Sequence, residues 1–455
     1  MLARFVVKNL FSFKEQAEFN LFPGKASRLG HHKAERKGVE VLKLSALYGA
    51  NGSGKSNLIK SISLLKELVV SGRIPNALNQ QKFKLDPDSQ SQSSDLGIEF
   101  FYNSHFYYYS VSVLDNVIVD EYFCESSVDE DKMIFHRKTE NGKNSIQFFK
   151  EFEENQENAL MGKVIEQDFL KANEPLFSLL SRISNDAFID IKYTFAWFRD
   201  SLQIIFPHTS VRYFAQQLDV NDEFKQFAND IMCSFHAGIA NLGVEKKSIE
   251  EFLGNDSQKQ LEKIVDELQT DPEKILSLSS GSAGAEDVSV VNEQGKIFAK
   301  RLYFEHLNKN GDKIPFHISE ESDGTRRLLE YIPVLKLIIG YPVTFVIDEI
   351  ERSLHPLIIK GILTKFSMDQ ETKGQLIFST HESNLLDQDI FRTDEIWFAQ
   401  KDNIGATKLY SLSDYKEHNT IDIRKGYLNG RYGAVPFLGN LQDLNWEKYD
   451  DAKQK

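Results

Sequence analysis

Eight residues, Gly49-Ala50-Asn51-Gly52-Ser53-Gly54-Lys55-Ser56, match the pattern GxxxxGK[ST]. Those residue types at that spacing suit phosphate chemistry. Glycines let the backbone turn tightly, so that successive N–H groups point at one anion. A helix N-terminus would add a fixed partial positive charge. Lys55 would meet the β- and γ-phosphates of ATP. The Ser56 hydroxyl would ligate Mg²⁺. Asn57, next along, opens the helix and joins the nucleotide-facing set. The expected substrate and cofactor are ATP and Mg²⁺.

A second group of chemical residues lies far along the chain. Val343-Thr344-Phe345-Val346-Ile347-Asp348-Glu349 is an apolar run ending in two acids. Such a run reads as a buried strand, and acids at its carboxyl end sit where open α/β sheets bind ligands. Asp348 would hold Mg²⁺, directly or through water. Glu349 would polarise the attacking water as general base. Gln375-Leu376-Ile377-Phe378-Ser379-Thr380-His381 is another such strand, and His381 could reach a γ-phosphate. Upstream, Ser322 and Gly324 begin a helical pattern and could present a hydroxyl and N–H groups to a phosphate.

These residues need elements to hold them. Leu44–Tyr48 reads as the strand that feeds the phosphate loop, and the helix after it carries Leu58, Ile62, Leu65 and Val69 on one face. The first 22 residues read as two strands. Lys25 to Lys37 reads as a basic loop, with His31-His32 inside it. Metal binding by that pair is one reading and a solvated loop the other. Residues 96–126 alternate, are rich in aromatics, turn near Asn103-Ser104, and read as antiparallel strands continuing into KMIFHRK. From about Lys150 to Val244 the period is helical, with one long amphipathic run through Trp197 and Phe198. Glu245 to Leu278 reads as a solvated helix, and Ser279 to Gly284 as a flexible break. Strands resume at IFAKRLYFEHL and KIPFHI. The stretch Tyr341 to Leu412 alternates strand and helix, as parallel sheets do.

Composition limits the alternatives. The 455 residues are 41% hydrophobic and 27% charged, which excludes a wholly disordered chain. The net charge is −13, which disfavours a generic basic nucleic-acid binder. Two cysteines, Cys124 and Cys233, cannot build a disulfide framework, and they fit a reducing, cytoplasmic setting. The most apolar stretch, Leu328 to Ile347, is interrupted by Glu330, Lys336 and Gly340-Tyr341-Pro342, so no membrane span is expected.

Taken in order, the motifs resemble the head of an ABC-type ATPase. Gly49–Ser56 matches Walker A, Ser322–Thr325 the signature loop, and Val343–Glu349 Walker B. Ser353-Leu354-His355-Pro356 lies at the D-loop and His381 at the switch histidine. The finer text, ESDGTRRLLEY, IDEIERSLHP, FSTHESNLLD and GRYGAVP, resembles ATP-binding proteins of bacterial anti-phage defence, of the RloA, PARIS-ATPase and OLD types. The resemblance implies an α/β fold: an ABC-type P-loop NTPase head, with a mixed sheet and an antiparallel β-lobe, interrupted by a mainly helical insertion. The expected divisions are 1–145, 146–300 and 301–455. The first and last would carry the ATPase lobes, and the middle would carry partner or oligomer surface.

The resemblance also implies ATP sites completed in trans by Ser322 and Gly324 of a second copy, in a homodimer or higher oligomer. It implies a sensor or scaffold that regulates a separate effector, a Toprim-type nuclease. The stretch after His381 is too short for a Toprim domain, and no HxH, HExxH or CxxC metal site occurs. There are departures. Asp323 replaces a small residue, the Leu-Ser of the family signature is missing, and turnover should be slow. Gln80, Gln81 and Gln92 all remain candidates for the Q-loop glutamine. The alternative function is a DNA-clamping repair-type ATPase that touches nucleic acid directly, with Arg28, Arg36 and the lysines of 24–37 as its contact. A transporter ATPase would need a membrane-coupling surface that the mixed insertion does not resemble. The strands around Phe100–Tyr109 read as a lobe packed on the ATPase core rather than a base-stacking platform. Trp197 and Phe198 could belong to a core or to an oligomer interface.

Overall fold

A computed structural model describes residues 1–127, 130–209, 213–235, 238–254, 258–280, 286–415 and 422–435. The chain forms two compact units. The first comprises 1–204, 346–348 and 375–455, the second 205–345 and 349–374.

The first unit contains a seven-stranded antiparallel sheet. Its order is Lys143–Phe148, Lys132–Glu140, Val117–Ser126, His105–Leu114, Ser94–Tyr102, Leu2–Lys8 and Ala17–Asn20. Two-residue turns with positive φ connect its hairpins: Asn103-Ser104 at 48° and 70°, Asp115-Asn116 at 48° and 62°, Asn141-Gly142 at 51° and 76°. Such turns match the twist of paired strands, and Asn, Asp and Gly tolerate them best. The aromatic strands are a packed lobe, as expected. Phe100, Tyr107 and Tyr109 are buried, and Phe100 stacks on Trp197 with ring centroids 4.1 Å apart. Trp197 and Phe198 are both fully buried, so they are core and not an interface of this chain.

The second sheet positions the chemistry. Its order is Leu202–Ile205, Thr344–Ile347, Gln375–Ser379, Leu44–Tyr48, Ile396–Lys401 and Thr407–Ser411. Leu44–Tyr48 is buried throughout and runs parallel to both of its neighbours. Its carboxyl end delivers the glycine loop to the helix Lys55–Ser71. Leu58, Ile62, Leu65 and Val69 face inward on that helix, and Gly72 at φ 68° ends it by donating to the Leu68 carbonyl. This mixed α/β sheet beside an antiparallel lobe agrees with the expected fold class.

Several segments depart from the sequence reading. The expected long helix through Trp197 is broken, because the Asn185 side chain accepts from the Ala187 N–H and starts a new turn. Ile189–Ala196 follows as a separate helix. Among the described residues of Glu245 to Leu278, helix covers Ile249–Leu253 and Gln258–Thr270. In the second unit Ile239–Ser248 pairs antiparallel with Lys296–Leu307, in a five-stranded sheet with Glu286–Glu293, Leu276–Ser280 and Lys313–His317. Ile249, Ile264, Leu268, Val288, Val290 and Ala299 form the core of that sheet and its helices. Ser279 and Ser280 end a strand, and the rest of the expected break, 281–284, lies outside the described residues. The last residue of GRYGAVP, Pro436, also lies outside them.

The basic loop is more ordered than a solvated run. Lys33–Arg36 and Val39–Leu42 form a hairpin, and His32 is buried rather than solvated. Its Nδ1 lies 2.8 Å from Glu395 Oε1, and Glu395 Oε2 accepts from the Arg392 N–H at 2.8 Å. Arg392 in turn holds Asp394 with two bonds and donates to the Arg28 carbonyl. Among the described residues no cluster of three or more His, Cys, Asp or Glu could hold a metal, and no helix is long and apolar enough to cross a membrane.

Burial pushes the Glu395 carboxyl up from 4.5 to about 7, against the opposing pull of His32 and the Arg392 N–H. The folded state therefore keeps a proton that the unfolded chain gives up in that interval. The associated stability is present below pH 4.5 and is lost as pH rises through about 7. Relative to Glu395→Gln, the wild type should lose up to about 3 kcal/mol between pH 5 and 8 in urea unfolding. An equal gap at both pH values would show that the carboxyl titrates normally.

Candidate functional site

The loop between Tyr48 and Lys55 has the geometry of an anion cradle. Gly49, Gly52 and Gly54 have φ of 154°, 75° and 112°. At Gly54 a Cβ would meet Thr407 Oγ1 at 2.2 Å, and at Gly49 it would meet the Ala399 carbonyl at 2.4 Å. No side chain fits either place. At Gly52 a Cβ would meet nothing within 4 Å, so the loop is open on that side. Ser53 Oγ is buried and has no partner among the described residues. A buried hydroxyl without a partner costs free energy that a phosphate oxygen would recover. The residues present therefore fit a nucleotide phosphate.

Lys55 is buried at the head of its helix. Its Nζ donates to the Gly49 carbonyl at 2.7 Å and the Ala50 carbonyl at 3.2 Å, and lies 3.1 Å from His381 Nδ1. An ammonium can only donate, so Nδ1 accepts and the ring hydrogen stays on Nε2. His381 is thus set as a donor, and it is exposed.

Ser56 Oγ donates to Asp348 Oδ1 at 3.1 Å, and Ser379 Oγ donates to the same oxygen at 2.5 Å. Asp348 is buried. Hydroxyl and carboxylate oxygens are the hard donors that Mg²⁺ takes. Ser56 and Asp348 would hold the ion, which would neutralise phosphate charge. Ser379, which the sequence reading did not single out, orients the carboxylate. Its signal was its place at the end of a buried strand, one strand over.

Asn57, expected at the nucleotide, turns its amide to Ser12 Oγ at 2.8 Å. Thr407 Oγ1 lies 2.7 Å from Ser12 Oγ and 2.7 Å from the Ser53 carbonyl. The Thr407 N–H donates to the Ser12 carbonyl at 2.7 Å. Ser12 and Thr407 thus support the loop from behind. Neither was legible in the sequence, since 395 positions separate them.

In the first unit the structure brings together Gly49–Asn57, Asp348 and His381. Glu349, Ser322 and Gly324 belong to the second unit. Glu349 is half-buried with φ 52°, a left-handed backbone rare outside glycine and Asn. Ser322 is exposed and caps the helix Asp323–Gly340, accepting from the Thr325 N–H at 3.1 Å. A Cβ on Gly324 would lie 2.9 Å from the Ser353 carbonyl, so Gly324 packs closely against the backbone at Ser353. His355 caps the helix Pro356–Met368. Of the three glutamine candidates, Gln80 and Gln92 are exposed, and the Gln81 carbonyl accepts from the Phe11 N–H.

A family model described as "AAA domain, putative AbiEii toxin, Type IV TA system" matches residues 44–387. No curated protein matches the chain. Among solved structures, an SmcHead bound to the C-winged helix domain of ScpA is 13% identical, covering 90% of this chain and 97% of that one, with a TM-score of 0.41. The SMC head domain from Thermotoga maritima is 11% identical, covering 90% and 98%, with a TM-score of 0.33. A Smc head with an extended coiled coil, bound to the C-terminal domain of ScpA derived from Pyrococcus furiosus, is 11% identical, covering 95% and 98%, with a TM-score of 0.39.

Asp348→Asn should abolish the difference between nucleotide binding with Mg²⁺ and with a chelator, measured by calorimetry with ADP. If Mg²⁺ still strengthened binding as in the wild type, Asp348 would not be the metal carboxylate.

Proposed function

We propose, from the premise that the chain belongs to this AAA-domain family, that it binds and slowly hydrolyses ATP with Mg²⁺. Sites completed between two copies would couple nucleotide state to the control of a separate effector. One observation carries the reading. Lys55, His381, Ser56, Ser379 and Asp348 converge at the carboxyl ends of adjacent strands, beside a glycine loop with an orphaned buried hydroxyl.

Each residue then has a role. Lys55 binds the β- and γ-phosphates. The Gly52–Ser56 amides cradle them. Glu349 takes the proton of the attacking water as it adds to the γ-phosphorus. His381 donates from Nε2 to a γ-phosphate oxygen as the bond to the β-phosphate breaks. Mg²⁺ on Ser56 and Asp348 supplies charge neutralisation. Ser322 and Gly324 of a second copy, at an exposed helix N-terminus, close the site over the γ-phosphate. The left-handed backbone at Glu349 fits a catalytic position, since such strain survives where function or packing demands it.

The effector reading rests on the resemblance to anti-phage ATPases of the RloA, PARIS and OLD types. The family description names a putative AbiEii toxin and a Type IV TA system. We take this chain to be the ATPase part, acting in the cytoplasm on a Toprim-type nuclease or similar protein.

Glu349→Gln should keep ATP bound and hold the chain as a dimer or larger, read by light scattering with ATP and Mg²⁺. Normal turnover in that variant would remove Glu349 from the base role. Ser322→Arg should fold, bind ATP as a single copy and lose hydrolysis by at least about a hundredfold, the scale of a lost transition-state contact. Full activity there would exclude sites completed in trans.

A further inference from the structure

We propose that Ser12 and Thr407 form a clasp that sets one peptide of the phosphate loop, so that the Gly54 N–H faces the β-phosphate. The inference rests on the nucleotide reading of the loop.

The hydrogens of the clasp can be assigned by elimination. The Ser53 carbonyl can only accept, and Thr407 has one hydroxyl hydrogen. With Thr407 Oγ1 2.7 Å from that carbonyl, the Thr407 hydrogen goes there. The second short contact, between Thr407 Oγ1 and Ser12 Oγ at 2.7 Å, then takes its hydrogen from Ser12. Ser12 Oγ accepts from Asn57 Nδ2 at 2.8 Å. The result is one directed chain: Asn57 amide to Ser12 hydroxyl to Thr407 hydroxyl to Ser53 carbonyl. Each hydroxyl gives once and accepts once. Such chains polarise along their length and strengthen each link. Thr407 is 4% exposed and Ser12 7%, so water does not compete easily.

The consequence follows from planarity. The described residues have no cis peptide bonds. In a trans peptide the carbonyl of one residue and the N–H of the next point in opposite directions. A Ser53 carbonyl pinned toward Thr407 therefore sends the Gly54 N–H the other way, to the face of the loop that receives phosphate. Without the Thr407 hydroxyl the Ser53–Gly54 peptide could rotate, since glycine permits either orientation. Gly54 also leaves room for the clasp, because a Cβ there would lie 2.2 Å from Thr407 Oγ1 and 2.9 Å from Ser12 Oγ. Thr407 and Ser12 are positioning residues: they act on the ligand through a backbone amide.

The test is calorimetric titration of the full chain with Mg·ADP, beside thermal unfolding without nucleotide. Thr407→Val keeps the shape and the backbone N–H that holds the Ser12 carbonyl, and removes only the hydroxyl. It should weaken Mg·ADP by at least about tenfold, the size of one hydrogen bond to a charged group. Thr407→Ser restores the hydroxyl and should bind within about threefold of the wild type. Ser12→Ala cuts the chain one link back and should weaken binding less than Thr407→Val. It also serves should the valine variant fail to fold. A purely structural role would lower the melting midpoint and leave the affinity of the folded protein unchanged. That outcome, or equal loss in the serine and valine variants, would overturn the clasp. A wild type that binds no Mg·ADP would instead overturn the nucleotide reading, and the clasp with it.

Discussion

A loop that binds phosphate through backbone N–H groups must turn its carbonyls inward and satisfy them there. An inward carbonyl without a partner would cost about 1–3 kcal/mol. The phosphate loop of this chain meets the constraint in three places. The Gly49 and Ala50 carbonyls accept from Lys55 Nζ, and the Ser53 carbonyl accepts from Thr407. The lysine that would bind phosphate therefore also shapes the loop that presents it. The loop has no regular ladder to take up its polar groups, so it depends on side chains carried by the elements around it.

Those elements are held to the same end of one sheet. Leu44–Tyr48 lies between Gln375–Ser379 and Ile396–Lys401, parallel to both. Parallel alignment places Gly49 and Thr380 at a common edge. Asp348 reaches that edge through its bonds from Ser56 and Ser379. The two hydroxyls aim the carboxylate. The next strand over, Thr407–Ser411, runs antiparallel to Ile396–Lys401, so its first residue, not its last, arrives behind the loop. That reversal is what lets Thr407 reach Ser53.

The sequence was informative where structure is local. Strand, glycine loop and helix follow one another over Leu44–Ser71, and the helix face of Leu58, Ile62, Leu65 and Val69 was readable from its period. Asp348 and His381 were readable because each ends a buried apolar run. The strand Ile239–Ser248 was not, because its Glu245, Lys246 and Lys247 suggest a solvated helix. In the fold those charges sit opposite Arg301, Lys300 and Ala299, and Glu293 neutralises both Lys246 and Lys300. Cross-strand pairing supplies what composition alone assigns to water. His32 shows the same limit, because its partner Glu395 is 363 positions away. Ser12 and Thr407 are common residues in polar surroundings, and only the tertiary fold gives them a task.

How a serine in a turn becomes rigid enough to hold a loop is a question of strain. The turn after the first strand has Asn9 at φ 48° and Phe11 at φ 52°. A bulky side chain in that region is strained by roughly 1–2 kcal/mol, and such backbone persists only where its surroundings over-determine it. Here they do. The Asn9 amide nitrogen lies 2.7, 3.2 and 3.1 Å from the carbonyls of Ser89, Gln92 and Ser93. Asn9 Oδ1 accepts from the Phe83 N–H, and the Phe11 N–H donates to the Gln81 carbonyl. The segment from Gln81 to Ser93 thus fixes both left-handed residues, and Ser12 follows them with little freedom left. An antiparallel lobe that contributes no phosphate-loop residue is therefore mechanically part of the loop, through Ser12.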